Sequence, residues 1–321
     1  MKTEPKQAFR SGFVAIVGRP NAGKSTLLNR YVGQKIAIVT SKPQTTRNRI
    51  QGIVNRPGGQ IVFIDTPGLH KAESALGRQM MREVAAALEG IDVLLLMVDA
   101  SRPFAGPDVY LLQRAKSFGG TTILALNKVD RLPKTQLLPL IAAYQKEYDF
   151  AAIVPISALK GTGCKELLDE IVRHLPEGAA HFPEDQVTDQ PERFLAAELI
   201  REKAIEQTYH EVPHALAVVV EKFEESPKIL RIYATLYVER DAQKKILIGS
   251  KGAMLKRIGT EARKELEALL GTKIFLETHV KVAPGWRDHP QRVRDLDWHV
   301  QLEALTEDQN EAQDEVEDEK E

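Results

Sequence analysis

Gly18-Arg19-Pro20-Asn21-Ala22-Gly23-Lys24-Ser25 fits the pattern G-x-x-x-x-G-K-[ST], and it lies between an apolar run, Phe13–Val17, and a helical stretch opening at Thr26. Strand, glycine loop and helix in that order form the context in which the pattern cradles phosphate. Glycines let backbone N–H groups close on phosphate oxygens, and the helix N-terminus adds positive partial charge. Lys24 supplies a point charge for the β/γ-phosphates, and Ser25 offers a hydroxyl to Mg²⁺.

Outward from this loop, the runs Ile61–Ile64, Val93–Val98, Thr122–Leu126 and Ala151–Ile156 are short, rich in Val, Ile and Leu, and followed by turn residues. Between them lie amphipathic segments. This alternation predicts an α/β domain with a mainly parallel sheet covered by helices, and such folds bind ligands at the carboxyl ends of their strands. The motifs fall there. Asp65-Thr66-Pro67-Gly68 follows the second run, where a carboxylate holds the Mg²⁺ shell and a glycine N–H meets the γ-phosphate. Asn127-Lys128-Val129-Asp130 follows the fourth. Guanine presents N1–H and N2–H₂ donors side by side for the Asp130 carboxylate, which adenine would leave buried and unpaired. Lys128 packs along the base, and Ser157-Ala158-Leu159 after the last run aims a backbone N–H at guanine O6. Between the glycine loop and Asp65, the polar stretch Gln44-Thr45-Thr46-Arg47 offers a threonine hydroxyl that completes the Mg²⁺ shell only with γ-phosphate present, which makes a switch.

The chain has 321 residues, 43% hydrophobic and 28% charged, enough for two globular domains and too apolar for general disorder. One cysteine, Cys164, excludes an intrachain disulfide and a cysteine-built zinc site, and the eight histidines show no metal spacing. Met1–Gln7 lacks the apolar stretch of a signal peptide, and no run approaches the ~18–20 apolar residues of a membrane span, so a cytoplasmic chain is expected. Net charge is −1, but it is unevenly spread. Lys244–Lys264 holds seven basic residues and one acid, whereas Glu303–Glu321 holds ten acids and one lysine and reads as a solvated, disordered tail.

Pro176, Gly178, Pro183 and Pro191 mark a linker, after which the pattern becomes helix, two strands, two helices, strand. Phe194, Ala197, Ile200, Arg201 and Ile205 read as an amphipathic helix. Leu230, Ile232, Ala234, Leu236 and Val238 alternate with Arg231, Tyr233, Thr235 and Tyr237 in a strand with one buried face. Ile248-Gly249-Ser250-Lys251-Gly252-Ala253 puts G-x-x-G at a helix entrance inside the basic stretch, where glycines permit close approach of a nucleic-acid backbone and Lys251 meets phosphate.

On these five G motifs, and on the G-x-x-G with its element order, the chain resembles the Era family of translation-factor-related, ribosome-assembly GTPases, with a GTP-binding domain followed by a smaller α+β type II KH domain. The resemblance runs from about residue 10 to 288 and implies a GTP-binding domain over 10–176, a linker over 177–192, a KH domain over 193–288 and an extension over 289–321. It implies nucleotide contacts from Gly18 through Thr26, from Asp65 through Leu69, from Asn127 through Asp130, and from Ser157 through Leu159. Lys24, Thr46, Asp65 and Gly68 would act in catalysis, and Ser25, Thr46 and Asp65 would hold magnesium, with Thr45 the alternative to Thr46. Leu69 stands where Ras-like proteins place the glutamine that orients water, and it has no polar group for that task. Relatives of this type use potassium in place of an arginine finger, and Asn21 occupies the position of its P-loop ligand; slow intrinsic turnover follows. The RNA contacts implied are Ile248, Gly249, Ser250, Lys251, Gly252, Lys256 and Arg257.

As function, the resemblance implies a monomeric GTPase that binds the 3′ region of 16S ribosomal RNA in its GTP state and assists small ribosomal subunit maturation, with peripheral contact at the inner membrane. The competing reading is a membrane-associated or cell-cycle regulatory GTPase with a protein partner. A kinase or ATPase is disfavoured by Asp130, and tandem-domain relatives by the single P-loop. His70 reads as a surface residue of the second switch rather than a base.

Overall fold

The computed structural model describes residues 8–69, 72–297 and 300. The chain divides into two compact units, one of residues up to 71 with 79–190, the other of 72–78 with 191 onward. His70 and the acidic stretch Glu303–Glu321 lie outside the described residues.

The first unit is a six-stranded sheet in the order β2-β3-β1-β4-β5-β6, built from β1 (Arg10–Gly18), β2 (Ile50–Arg56), β3 (Gly59–Asp65), β4 (Val93–Asp99), β5 (Thr121–Asn127) and β6 (Ala152–Pro155). Its helices are α1 (Lys24–Val32), the 79–86 part of α2 (Ala75–Ala86), α3 (Gly106–Phe118), α4 (Lys134–Gln145) and α5 (Cys164–His174). Every pairing is parallel except β2 with β3. β4 is buried from Val93 to Val98, as a strand covered on both faces must be, and its apolar run shows no alternation. Chain order reverses about β1, so the crevice beyond its carboxyl end is the place for a ligand.

The sequence pattern misses β2. This is an edge strand interrupted by Gly52, and Leu28, Val32 and Ile36 crowd the space a Cβ there would occupy. Its outer edge is covered by the segment read as a linker. Ile53 N–H donates to Val187 O (2.9 Å), Thr188 Oγ1 to Gln51 O (2.6 Å) and Asn55 Nδ2 to Glu184 O (2.8 Å). The fully buried Gln60 clips the same segment, accepting from the His181 and Phe182 N–H groups and donating to Phe182 O. Prolines and glycines announce loss of regular structure, yet a segment without regular structure still satisfies an exposed sheet edge.

The second unit holds α6 (Glu192–Glu206), α7 (Val212–Ala215), β7 (Ala217–Glu224), β8 (Leu230–Val238), α8 (Asp241–Ile248), α9 (Ala253–Leu270), β9 (Ile274–Val282) and α10 (Pro290–Asp295). β8 is central, antiparallel to β7 and parallel to β9. Ile200, Ile232, Leu236, Ile258 and Leu266 meet in its core. α6 is more buried than an amphipathic helix should be. Arg201, 3% exposed, is held in a two-pronged pair with Glu198, Nε–Oε1 and Nη2–Oε2 both 2.7 Å, which is how a charge survives burial. Beyond β9, Trp286 is buried and donates Nε1–H to Ala215 O (2.8 Å), and Val293 of α10 packs in the same cluster. The expected extension therefore begins with packed residues. Among the described residues no helix is long and apolar enough to cross a membrane.

Candidate nucleotide site and nucleic-acid loop

β1 ends at Gly18, and the glycine loop turns through two left-handed residues, Asn21 (φ 62°) and Gly23 (φ 101°), before α1 starts at Lys24. Gly23 is required for space as well as for its φ: a Cβ there would lie 2.3 Å from Asn127 Nδ2. Asn127 fills that space to splice three loops. Its Nδ2 donates to Ala22 O (2.7 Å) and its Oδ1 accepts the Ala158 N–H (2.8 Å). It is 2% exposed and ties these loops together.

The loop opens on a cavity of about 460 Å³, lined among others by Gly23, Lys24, Thr26, Thr46, Asp130 and Leu159. Lys24 is buried, with Nζ 3.5 Å from the Gly18 and Arg19 carbonyls, and burial holds its ammonium pKa below the ordinary value against the pull of Asp65. Burial likewise raises the Asp65 carboxyl above its usual range, although Lys24 and Ser25 oppose it. Each group is thus short of a counter-charge that a phosphate–metal pair supplies.

Ser25 Oγ donates to Asp65 Oδ2 (2.6 Å) and lies 3.0 Å from Thr46 Oγ1, so the three expected magnesium residues converge. Asp65 Oδ1 is buried without a hydrogen-bond partner. An all-oxygen set with an unsatisfied carboxylate oxygen fits Mg²⁺. Of the two adjacent threonines it is Thr46 that faces Ser25, whereas Thr45 turns into its own loop, donating to Lys42 O (2.8 Å) and lying 2.7 Å from Thr40 Oγ1. Thr66 Oγ1 donates to Ile16 O (2.8 Å), and a Cβ at Gly68 would fall 2.6 Å from Pro20 N, so the turn of Asp65–Gly68 presses on the glycine loop. Leu69 is 6% exposed in the core with Ala15 and Leu94, its N–H bonded to Gly18 O; it anchors the turn and orients no water.

At the base end, Ser157 Oγ donates to Asp130 Oδ1 (2.6 Å), and that bond holds the carboxyl below the usual range. The Ser157 N–H goes to Thr162 O and the Ala158 N–H to Asn127, which leaves the Leu159 N–H without a protein acceptor among the described residues. Lys128 Nζ donates to Asn21 O and to Asp99 Oδ2, both at 2.7 Å. Val129 opens a 3₁₀ turn whose N–H bonds to Ile156 O.

Sequence reasoning missed two residues here. Arg30 on α1 donates Nε–H to Ala158 O (2.6 Å) and Nη2–H to Leu159 O (2.7 Å), fixing the base loop; nothing local marks it. Asp99 had a signal, since it ends a strand as Asp65 and Asn127 do, and β4 pairs it directly with Asn127.

In the second unit, α8 stops at Gly249 (φ 71°, ψ −179°), Lys251 is left-handed (φ 50°), and α9 starts after Gly252 (φ 80°). Ser250, Lys251 and Lys256 are exposed, and Ile248 is half-buried behind them. Arg257 is engaged along its own helix with Glu261 (3.0 Å), a solvated-face pair. Lys251 and Lys256 are the open cationic heads at this turn.

A family model described as 50S ribosome-binding GTPase matches residues 13–128, and one described as KH domain matches residues 211–287. The chain is 48% identical over 293 residues to GTPase Era of Syntrophus aciditrophicus (strain SB), a match spanning 91% of this chain and 96% of that one. The chain belongs to the Era family of GTPases. GTPase Era of Leuconostoc citreum (strain KM20) is 49% identical, over 92% of this chain and 98% of its own. Among solved Era structures, one in complex with MgGDPNP and nucleotides 1506–1542 of 16S ribosomal RNA superposes with a TM-score of 0.88 at 43% identity, covering 90% of this chain and 99% of that one. An Aquifex aeolicus Era variant bound to GDP·AlF₄⁻ gives the same TM-score, identity and coverage.

Proposed function

We propose that this Era-family GTPase is a GTP-controlled RNA-binding switch acting on the 3′ region of 16S ribosomal RNA during small-subunit maturation, as a monomer in the cytoplasm. The observation that carries the reading is the Era complex holding MgGDPNP and nucleotides 1506–1542, which shares this fold over 90% of the chain. The residues fit that work. Asp130, set by Ser157, takes the guanine N1–H and N2–H₂ donors. Lys24 and the amides of the glycine loop hold the β/γ-phosphates, and Ser25, Thr46 and Asp65 are the magnesium oxygens. Water attacks the γ-phosphorus, GDP departs with the bridging oxygen, and inorganic phosphate is released. Loss of the γ-phosphate frees Thr46, and with it the 40–46 loop. Asn21 is the residue we assign to a potassium site: its Nδ2 donates to Ser41 O at 2.9 Å, and its amide Oδ1 is the atom that would face the cation. Turnover is then faster in K⁺ than in Na⁺, and replacing Asn21 by alanine removes the difference.

The test is titration of a 16S 3′-end RNA at fixed salt with GDPNP, GDP or an ATP analogue, beside a Gly252→Asp variant. Binding that is tight with GDPNP, weaker with GDP and lost in the variant supports the switch. Nucleotide-indifferent binding overturns it, and absence of RNA binding favours a GTPase with a protein partner.

A further inference from the structure

The geometry points to Asp99, which we propose as a positioning residue for guanine-nucleotide binding: it holds the Lys128 ammonium against the Asn21 carbonyl and so locks the base-reading loop to the phosphate loop. β4 and β5 are paired in register, Asp99 opposite Asn127, and Ala100 N–H donates to Asn127 O at 2.7 Å. The two strand ends therefore deliver Asp99 and Lys128 side by side. Lys128 sits in the left-handed region (φ 67°), which residues with a Cβ seldom adopt, so the loop holds it in an unusual backbone conformation. Its Nζ spans Asp99 Oδ2 and Asn21 O, both at 2.7 Å.

Asp99 is itself fixed. Its Oδ1 accepts the Ser101 Oγ–H (2.6 Å) and N–H (3.1 Å), and its side chain is 16% exposed against 23% for Lys128. Arg102 Nε, the other cation nearby, stands 3.9 Å from Oδ2 on a side chain that is 65% exposed, too far and too solvated to displace Lys128. Asp99 and Ser101 line the same cavity as Lys24, Asp130 and Ser157. An aliphatic stem held at both ends of its charge is a rigid wall for a base and its sugar. A free one would lose rotamer entropy at each binding event.

The inference rests on the nucleotide site proposed above, and a double-mutant cycle on the full-length protein tests it. Affinities for GDP and IDP are measured for the wild type, Asp99→Ala, Lys128→Ala and the double variant. Asp99→Ala should weaken GDP roughly ten- to a hundredfold, mostly through faster release, with the GDP:IDP ratio unchanged because Asp130 is untouched. The double variant should bind within about twofold of Lys128→Ala, since Asp99 acts through that lysine. Asp99→Asn, which keeps the shape and an acceptor oxygen, should recover part of the loss. Additive losses in the double variant, or a changed GDP:IDP ratio, would overturn the assignment while leaving the nucleotide site intact. A wild type that binds no GDP overturns both.

Discussion

Substituting the two glycines of the G-x-x-G turn separately should give different failures. At Gly249 an added Cβ would lie 2.7 Å from Met254 Cβ and 2.9 Å from its backbone N, on a backbone at φ 71°, ψ −179° that only glycine adopts readily. The backbone strain is worth about 1–3 kcal/mol and the overlap with the first turn of α9 a further ~1–3 kcal/mol, so Gly249→Ala should cost about 2–6 kcal/mol. At Gly252 nothing stands within 4 Å of the added Cβ, and φ 80° is an ordinary left-handed value. Gly252→Ala and Gly252→Asp should each cost only about 1–2 kcal/mol. Gly252→Asp should nonetheless weaken RNA binding at least tenfold by setting a carboxylate against phosphate beside Lys251. Trp286 is buried in the second unit, so the change in its emission during urea unfolding reports on that unit. Equal midpoints for the two alanine variants would refute the steric argument. RNA affinity unchanged in Gly252→Asp would refute the placement of RNA at this turn.

Three further outcomes are expected. Asp130→Asn should lose at least a hundredfold in GDP affinity, as charge-assisted bonds worth ~1.5–3 kcal/mol each disappear, and should come to prefer xanthosine diphosphate, whose C2 carbonyl accepts from the amide; competition binding measures both. Thr46→Ala should slow GTP hydrolysis tenfold or more and weaken Mg²⁺-dependent binding, whereas Thr45→Ala, which removes bonds internal to its loop, should do neither to that degree; single-turnover hydrolysis at varied Mg²⁺ separates them. The two site carboxylates should titrate in a fixed order. Burial raises Asp65 above the ordinary range and the Ser157 bond holds Asp130 below it. Each needs its charged form, so as pH falls Mg²⁺-dependent affinity is lost first and the GDP:IDP ratio collapses later. A pH series in which discrimination fails before Mg²⁺ dependence contradicts this, and Ser157→Ala should narrow the gap.

How much was legible in the sequence follows from the range of each interaction. The central strands β1, β3, β4 and β5 are buried on both faces, so their apolar runs stand out without any partner being known. The glycine loop and the Asn127–Asp130 motif are contiguous stretches whose pattern is set by adjacent residues, so they can be picked out without knowing the fold. β2 was hidden because an edge strand's identity lies in its pairing with β3 and in the 184–188 segment across its outer side, more than 120 residues away in sequence. Arg201 stood among the periodic positions of a helix read as amphipathic, and its burial is tolerable because Glu198 one turn earlier pairs with its charge, a partner the periodicity does not reveal.

What the chain alone determined is the list of parts: a glycine-rich loop, the Asp65 and Asp130 motifs and a G-x-x-G turn, each encoded by local backbone needs and local chemistry. What only the tertiary structure decided is which of two adjacent threonines meets Ser25, that Asn127 is a splice, and that Arg30 and Asp99 hold the base loops. Those are properties of distance between segments remote in sequence, and side-chain direction is fixed only when strands pair in register and helices pack on them.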